Sequence, residues 1–181
     1  PHGGVAQGLE QSAHNRLVAG SNPAAPTKVN FMTLPPIRAN PDTHCPAEIL
    51  SAQTALEVHY LAFDGSLKTG HIEINRSVVD DVAVFFTLAL EMKFPIAKVV
   101  RASDKPYRWD DNKLTADNAS SGFNYRTIYG SEKISWHAHG LAFDVNPVQN
   151  PYLVFEGDVL RIDPPGASRE PSHPGTLTSK H

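Results

Sequence analysis

The densest group of side chains that could carry chemistry lies in residues 135–144, which read SWHAHGLAFD. The segment can be written Ser-x-His-x-x-Gly-x-Ala-x-Asp, with a His and an Asp seven positions apart. A histidine nitrogen and a carboxylate oxygen are suitable zinc ligands, and a catalytic zinc uses three protein ligands and one open position. His137 and Asp144 are therefore candidate metal ligands.

The spacing of these residues leaves several readings open. In a strand over residues 141–145, Ala142 and Asp144 would point to the same face, and the small Ala would leave room for a metal and its water. His139 is a rival ligand, because His137 and His139 would share one face of a strand. A His and an Asp at this spacing can also be unrelated polar residues. Spacing alone does not choose among these readings.

Two stretches of alternating apolar residues predict a β-hairpin. Residues 56–63 read LEVHYLAF, and residues 70–74 read GHIEI. Such alternation is typical of strands with one buried face. Asp64 and Gly65 between them form a dipeptide that favours a tight hairpin turn.

The periodicity then changes from that of a strand to that of a helix over residues 76–93. Ser77, followed three residues later by Asp80, predicts a helix N-cap. Pro95 ends the helix, and residues 96–101 predict another strand. The expected fold class is α+β, an antiparallel sheet with one long packed helix. The apolar residues that share the buried helical face are Val78, Val82, Phe85, Phe86, Ala89 and Met92.

The remaining segments have weaker patterns. Residues 102–121 are polar and predict a long surface loop, whereas residues 123–129 resemble a strand. The last twenty residues are rich in proline and predict no regular element. Residues 1–44 are expected to be a disordered or non-native arm, and a true start at Met32 or a fragmentary record would both fit their composition.

Composition excludes several classes of protein. The 181 residues carry 16 Lys and Arg against 19 Asp and Glu, a formal net charge of -3. This balance argues against nucleic-acid binding, which needs clustered positive charge. The sequence has no apolar run of the roughly 20 residues that a transmembrane helix needs. A single cysteine excludes an internal disulfide framework, and no secretory signal peptide is visible.

Residues 121–152 resemble the core of the D-alanyl-D-alanine carboxypeptidase and dipeptidase family of zinc peptidases. The resemblance rests on the Ser-x-His-x-x-Gly-x-Ala-x-Asp signature with its Asn-Pro and Asn-Pro-Tyr extension. Residues 60–100 are similar to the sequence that precedes this signature in bacterial members. The family includes peptidoglycan-trimming enzymes, vancomycin-resistance dipeptidases and phage endolysins. The resemblance implies a domain over residues 45–181 with this family's metallopeptidase fold.

The resemblance also implies roles for individual residues. His137 matches the first zinc ligand of the family and Asp144 the second, while His139 falls at a variable position and becomes a neighbour. Ser135 matches a Ser that bonds near substrate or metal. Arg126 matches an Arg that faces the site, where its planar fork would bind a substrate carboxylate or an oxyanion. The alternative for Arg126 is a surface salt bridge.

The sequence departs from the family pattern at its C-terminal end. The family adds a segment of the form Trp-Gly-Gly, then Asp-Tyr-x-His-Phe-Glu, which carries the third zinc ligand and the general base. No such segment occurs here, which predicts a C-terminally truncated domain. Glu170 and His173 imitate a Glu-x-x-His spacing, so His173 is a candidate for the third ligand and Glu170 for the base.

The function that the resemblance implies is zinc-dependent cleavage of cell-wall peptides that contain D-amino acids. The partner would be a peptidoglycan stem or D-Ala-D-Ala-type peptide, and we expect a monomer located in the cell envelope or outside the cell. Two protein ligands hold zinc less tightly than three, so we expect weak zinc binding and little activity from this chain. The alternative is a non-catalytic module of the same fold that binds metal or cell wall.

Overall fold

The core of the protein is a β-hairpin with one long helix against it. The computed structural model describes residues 36–156 and 158–178. Strand β1 (Gln53–Leu61) pairs antiparallel with β2 (Leu67–Asn75), with Gln53 opposite Asn75 and Leu61 opposite Leu67. The predicted hairpin is therefore confirmed, with longer strands than the pattern gave. The even-numbered face carries the buried side chains Leu56, Val58, Tyr60, Ile72 and Ile74.

The predicted Asp64-Gly65 turn closes this hairpin. The backbone N–H of Gly65 donates to the carbonyl oxygen of Ala62 at 2.9 Å. A carboxylate oxygen of Asp64 accepts from the backbone N–H of Ser66, also at 2.9 Å. Gly65 has a φ of +79°, a conformation that glycine adopts without steric cost. Turn and strands are thus consistent with one another.

The long helix follows directly from β2. A short 3-10 turn (Arg76–Val78) leads into α2 (Val79–Glu91), as the change of period predicted. Phe86 is 3% exposed and packs with Phe85 and Phe143, whose ring centroids lie 5.2 to 6.0 Å apart within this group. Together with Val82 and Ala89, these side chains cover the buried face of the hairpin.

Two details of the helix prediction are wrong. Ser77 is not the N-cap, because it lies inside the 3-10 turn through which the chain enters the helix. The cap must therefore be the residue that precedes this turn. The side chain of Asn75 fills that role by accepting from the backbone N–H of Ser77 at 3.0 Å. Met92 is 57% exposed rather than buried, since α2 ends at Glu91 and the chain turns away there.

The polar stretch 102–121 contains more structure than the predicted loop. Helix α3 (Asp111–Ala116) lies within it, with the side chain of Asp110 accepting from the backbone N–H of Lys113. Strand β3 (Lys98–Val99) then pairs in parallel with β4 (Ala119–Ser120), an exception to the antiparallel pairing that we expected. A second small core holds α3 in place and consists of Ala102, Tyr107, Leu114 and Ala119.

The C-terminal part holds a hairpin that we did not predict from the sequence. Strand β5 (Tyr152–Glu156) pairs antiparallel with β6 (Val159–Asp163). The expected strand at 123–129 is wrong, because only Thr127 pairs there, in a single bridge to Ile134. These residues instead form a loop whose backbone contacts residues 133–137.

The architecture is α+β, with small antiparallel sheets and one long helix, as the sequence predicted at this level. A short helix α1 (Ala47–Ser51) precedes the first hairpin. The predicted arm falls largely on residues 1–35, which lie outside the described residues. Across residues 36–156 and 158–178, no helix has the length and apolar character needed to cross a membrane.

Candidate functional site

His137 lies in a 3-10 turn (Trp136–His139) with well-defined ends. The buried Ser135 begins this turn, and its hydroxyl accepts from the backbone N–H of His137 at 3.2 Å. Gly140 ends it at a φ of +66°, and a Cβ there would lie 1.9 Å from the side-chain oxygen of Gln53. A residue with a side chain would therefore be strained and would also clash.

This turn overturns two expectations based on strand geometry. Residues 141–145 form no strand, so the prediction that Ala142 and Asp144 share one strand face is wrong. The rival pair of His137 and His139 on one strand face is wrong for the same reason. The backbone carbonyl of His139 instead accepts from the side chains of Gln53 and Asn75, at 3.2 and 3.1 Å.

The fold nevertheless brings His137 and Asp144 together. Nε2 of His137 lies 3.6 Å from Oδ2 of Asp144. Both residues are held by the segment that follows β4. Nδ1 of His137 donates to the carbonyl oxygen of Gly122 at 2.9 Å, and the backbone N–H of Asp144 donates to the carbonyl oxygen of Ser121 at 2.9 Å. The two side chains are thus positioned by one short stretch of backbone.

The contact with Gly122 also indicates which nitrogen of the imidazole ring carries a proton. A carbonyl oxygen can only accept a hydrogen bond, so Nδ1 of His137 carries the proton. In the neutral ring, Nε2 then presents its lone pair towards the carboxylate of Asp144. Two electron-pair donors that face each other are favourable only with a proton or a metal ion between them.

The carboxylate of Asp144 lies among other charged groups. Its side chain keeps 36% of its surface exposed, but the surrounding protein displaces much of the bulk water. This desolvation raises the pKa of Asp144, and the negative charges of Asp111 and Asp163 raise it further. His137 and Arg126 oppose the rise.

Arg126 interacts electrostatically with Asp144, and it forms a salt bridge as the sequence alternative suggested. Its Nη2 lies 2.8 Å from Oδ2 of Asp111, and its Nη1 donates to the carbonyl oxygen of Thr127 at 3.4 Å. The side chain is 26% exposed, so the salt bridge is half-buried rather than on the open surface. The charge of Arg126 also acts on Asp144. The role of Arg126 in binding an anion stays a prediction.

The other predicted site residues have different surroundings. Ser135 uses its hydroxyl to cap the 3-10 turn, and its predicted contact with substrate stays a prediction. Glu170 and His173 are exposed, and Glu170 accepts from the hydroxyl of Ser168 at 3.3 Å. Within residues 36–156 and 158–178, no three His, Cys, Asp or Glu side chains are grouped so as to hold a metal ion. His137 and Asp144 therefore meet as a pair.

Three residues of the site were missed by sequence reasoning. Gly122 holds His137 through its backbone carbonyl, which no side-chain pattern can reveal. Asp111 lies in the first turn of α3, and the Asp110 cap pattern before Lys113 could have indicated that helix. Asp163 ends β6, and the Gly-Asp pair at positions 157–158, between two apolar stretches, is a turn signal that could have indicated this hairpin.

Comparisons with protein-family models, with curated proteins and with solved structures found no match for this chain. The case for a function therefore rests on the site and on the resemblance of its sequence signature.

Proposed function

We propose that this chain is a zinc peptidase domain of the D-alanyl-D-alanine carboxypeptidase and dipeptidase type. Its substrates would be short peptides that contain D-amino acids, as in the stems of peptidoglycan. The observation that carries the proposal is the contact of His137 with Asp144. These are the two residues that the family signature assigns to zinc, and they approach within 3.6 Å.

The separation of the two ligand atoms supports zinc as the ion between them. Ligand atoms at 2.0 to 2.2 Å from a tetrahedral zinc lie about 3.4 Å from each other. The separation of 3.6 Å is close to that value and is too long for a direct hydrogen bond. The hydrogen bond from Nδ1 of His137 to a backbone carbonyl is the usual way in which a zinc-bound imidazole is oriented.

The balance of charge around the pair also favours a divalent cation. The negative charges of Asp111 and Asp163 act on Asp144, and they are opposed by the positive charge of Arg126 and, when it is protonated, that of His137. With His137 in its neutral form, the three carboxylates and one guanidinium give a formal charge of -2, which one zinc ion would neutralise. Without a cation, the desolvated carboxylate of Asp144 is destabilised, as its raised pKa indicates.

The residues of the chain would then have distinct roles. His137 and Asp144 would hold the ion, which when bound polarises a carbonyl group and lowers the pKa of a coordinated water. Arg126 would bind the substrate carboxylate or the negative charge that develops on the reacting carbonyl. Ser135 would keep the backbone of His137 in place through its cap.

A second candidate function is a metal- or cell-wall-binding module without catalysis. One observation favours it: the described residues offer a pair of ligands rather than three. Two ligands leave the affinity low and the geometry of the ion poorly fixed. Zinc binding without hydrolysis would support this module.

The test is zinc binding by the purified chain, measured by calorimetry, together with hydrolysis of D-alanyl-D-alanine. His137→Ala and Asp144→Asn should each lower zinc affinity by at least about tenfold, since each removes one of the ligands. His59→Ala is the matched control, because His59 is an exposed histidine whose Nδ1 contacts Thr69. Unchanged zinc affinity in both site variants would refute the proposal.

His173→Ala examines the remaining candidate ligand. If His173 is the third ligand, this variant should lose zinc affinity and hydrolysis together, like His137→Ala. If it behaves like His59→Ala, then His173 has no part in the site. In that case zinc binding without turnover would favour the module over the enzyme.

A further inference from the structure

The ion pair between Asp111 and Arg126 points to a function beyond local stability. We propose that Asp111 is a positioning residue, which holds the guanidinium of Arg126 beside the His137–Asp144 pair so that it can bind the carboxylate of a peptide ligand. This inference rests on the proposed function, because it assigns the element that would recognise the ligand's C-terminus.

The contacts of Arg126 show that Asp111 is its principal anchor. The contact between Nη2 of Arg126 and Oδ2 of Asp111 is 2.8 Å, which is the length of a strong charge-assisted hydrogen bond. The bond from Nη1 to the carbonyl oxygen of Thr127 is 3.4 Å, at the long limit for a hydrogen bond. Nε is buried and has no acceptor among the described residues. The guanidinium therefore depends on Asp111 for its orientation.

Asp111 is itself held by a packed element. Helix α3 is fixed by the buried Leu114, and the hydroxyl of Thr115 donates to the carbonyl oxygen of Asp111 at 3.1 Å. The side chain of Asn124 donates to the carbonyl oxygen of Trp109 at 3.3 Å, which ties the start of this segment to the chain just before Arg126. The anchor and the guanidinium thus belong to segments that are connected to each other.

The position of Arg126 depends on a competition between two carboxylates. Arg126 interacts with two carboxylates: it forms the ion pair with Asp111, and its charge also acts on Asp144. Without Asp111, the guanidinium would be drawn towards the carboxylate of Asp144, because opposite charges attract most strongly where water is displaced. Arg126 would then form an ion pair with Asp144 and would no longer be able to bind a ligand. Asp111 prevents this by holding Arg126 to one side.

The experiment compares D-alanyl-D-alanine with its C-terminal amide, which lacks the carboxylate, by calorimetry on the zinc-loaded full chain. We expect Asp111→Asn to weaken binding of the free acid about fivefold to tenfold and to leave binding of the amide unchanged. Arg126→Gln should have the same selective effect. Because the two residues act as a unit, the double variant should bind the acid no more weakly than Arg126→Gln alone.

Asp81→Asn is the matched control, since Asp81 is an exposed acid in the first turn of another helix, α2. It should bind both dipeptides as the wild type does. The proposal is overturned if Asp111→Asn binds the acid normally, weakens both dipeptides equally, or adds its effect to that of Arg126→Gln.

A second measurement separates this proposal from the proposed function. If the wild type bound neither dipeptide, the proposed function would fail. The Nη signals of Arg126 in nitrogen-detected NMR, which report the rotation of the guanidinium group, would then test the role of Asp111 independently. Restricted rotation in the wild type and free rotation in Asp111→Asn would support positioning by Asp111. Equal rotation in both proteins would overturn it.

Discussion

Glu73 allows a sharp test of how burial controls ionisation in this protein. The residue lies in β2 and is 1% exposed. Its two carboxylate oxygens are buried and accept no hydrogen bond from the residues that the structure describes, and Nη1 of Arg101 lies 3.4 Å from Oε1. Desolvation raises the pKa of Glu73 from 4.5 to about 7, although the positive charge of Arg101 opposes the rise.

The raised pKa determines how stability depends on pH. Between pH 4.5 and about 7, the folded protein holds this proton more tightly than the unfolded chain does. The contribution of Glu73 to stability is therefore fully present below pH 4.5 and is lost as the pH rises through about 7. At about 1.4 kcal/mol for each pH unit, the loss is on the order of 3 kcal/mol.

Glu73→Gln removes the ionisation and keeps the shape of the side chain. We expect the free energy of unfolding of the wild type to fall by about 3 kcal/mol more than that of the variant between pH 4.5 and pH 8. Urea titrations at the two pH values, followed by tryptophan fluorescence, measure this difference. Taking the difference between the two proteins cancels the contribution of other titrating groups.

Glu91→Gln is the control for the loss of one negative charge, because Glu91 is exposed at the end of α2. If Glu73→Gln and the wild type lost the same free energy between the two pH values, the carboxyl would titrate alike in both states. That result would refute the link between burial and ionisation at this position.

Three further predictions concern the packing that supports the site. Gly122→Ala should lower the melting temperature and weaken the proposed zinc binding, because a Cβ there would lie 2.2 Å from the carbonyl oxygen of Glu73 and would displace the backbone that holds His137. Thermal unfolding measures the first effect and calorimetry the second, and an unchanged melting temperature would contradict the prediction. Phe86→Ala should cost about 3 to 5 kcal/mol of unfolding free energy in urea titrations, whereas exposed Val84→Ala should cost under about 0.5 kcal/mol, and similar losses in the two would contradict it. Asn146→Ala should cost about 2 to 4 kcal/mol of unfolding free energy in the same assay, because its buried side chain accepts a hydrogen bond from the N–H of Ala97 and donates to the carbonyl oxygens of Pro95 and Gly175. A loss under about 1 kcal/mol would contradict this prediction.

Much of the main core follows from local patterns in the sequence. Alternation over residues 56–63 and 70–74 placed the first hairpin, because strands with one buried face repeat every two residues. The Asp64-Gly65 turn and the change of period at Arg76 placed the turn and the helix. These signals are local, since each depends on residues a few positions apart.

The short elements did not follow from the sequence for a physical reason. Strands β3 and β4 have two residues each, too few to show a period, and they form because Val99 and Ser120 are brought together by the packing around α3. The loop at 123–129 has the composition of a strand but lacks a continuous partner beyond the Thr127 bridge. Strand propensity depends on such neighbours.

The candidate site divides in the same way. The types and spacing of His137 and Asp144 were determined by the sequence, and the resemblance of the signature predicts both as ligands. Their 3.6 Å approach depends on the turn at Gly140 and on backbone contacts with Ser121 and Gly122, which lie some 15 to 23 positions earlier in the chain. Backbone groups are the same in every residue, so only the tertiary structure decides which carbonyl orients a given imidazole.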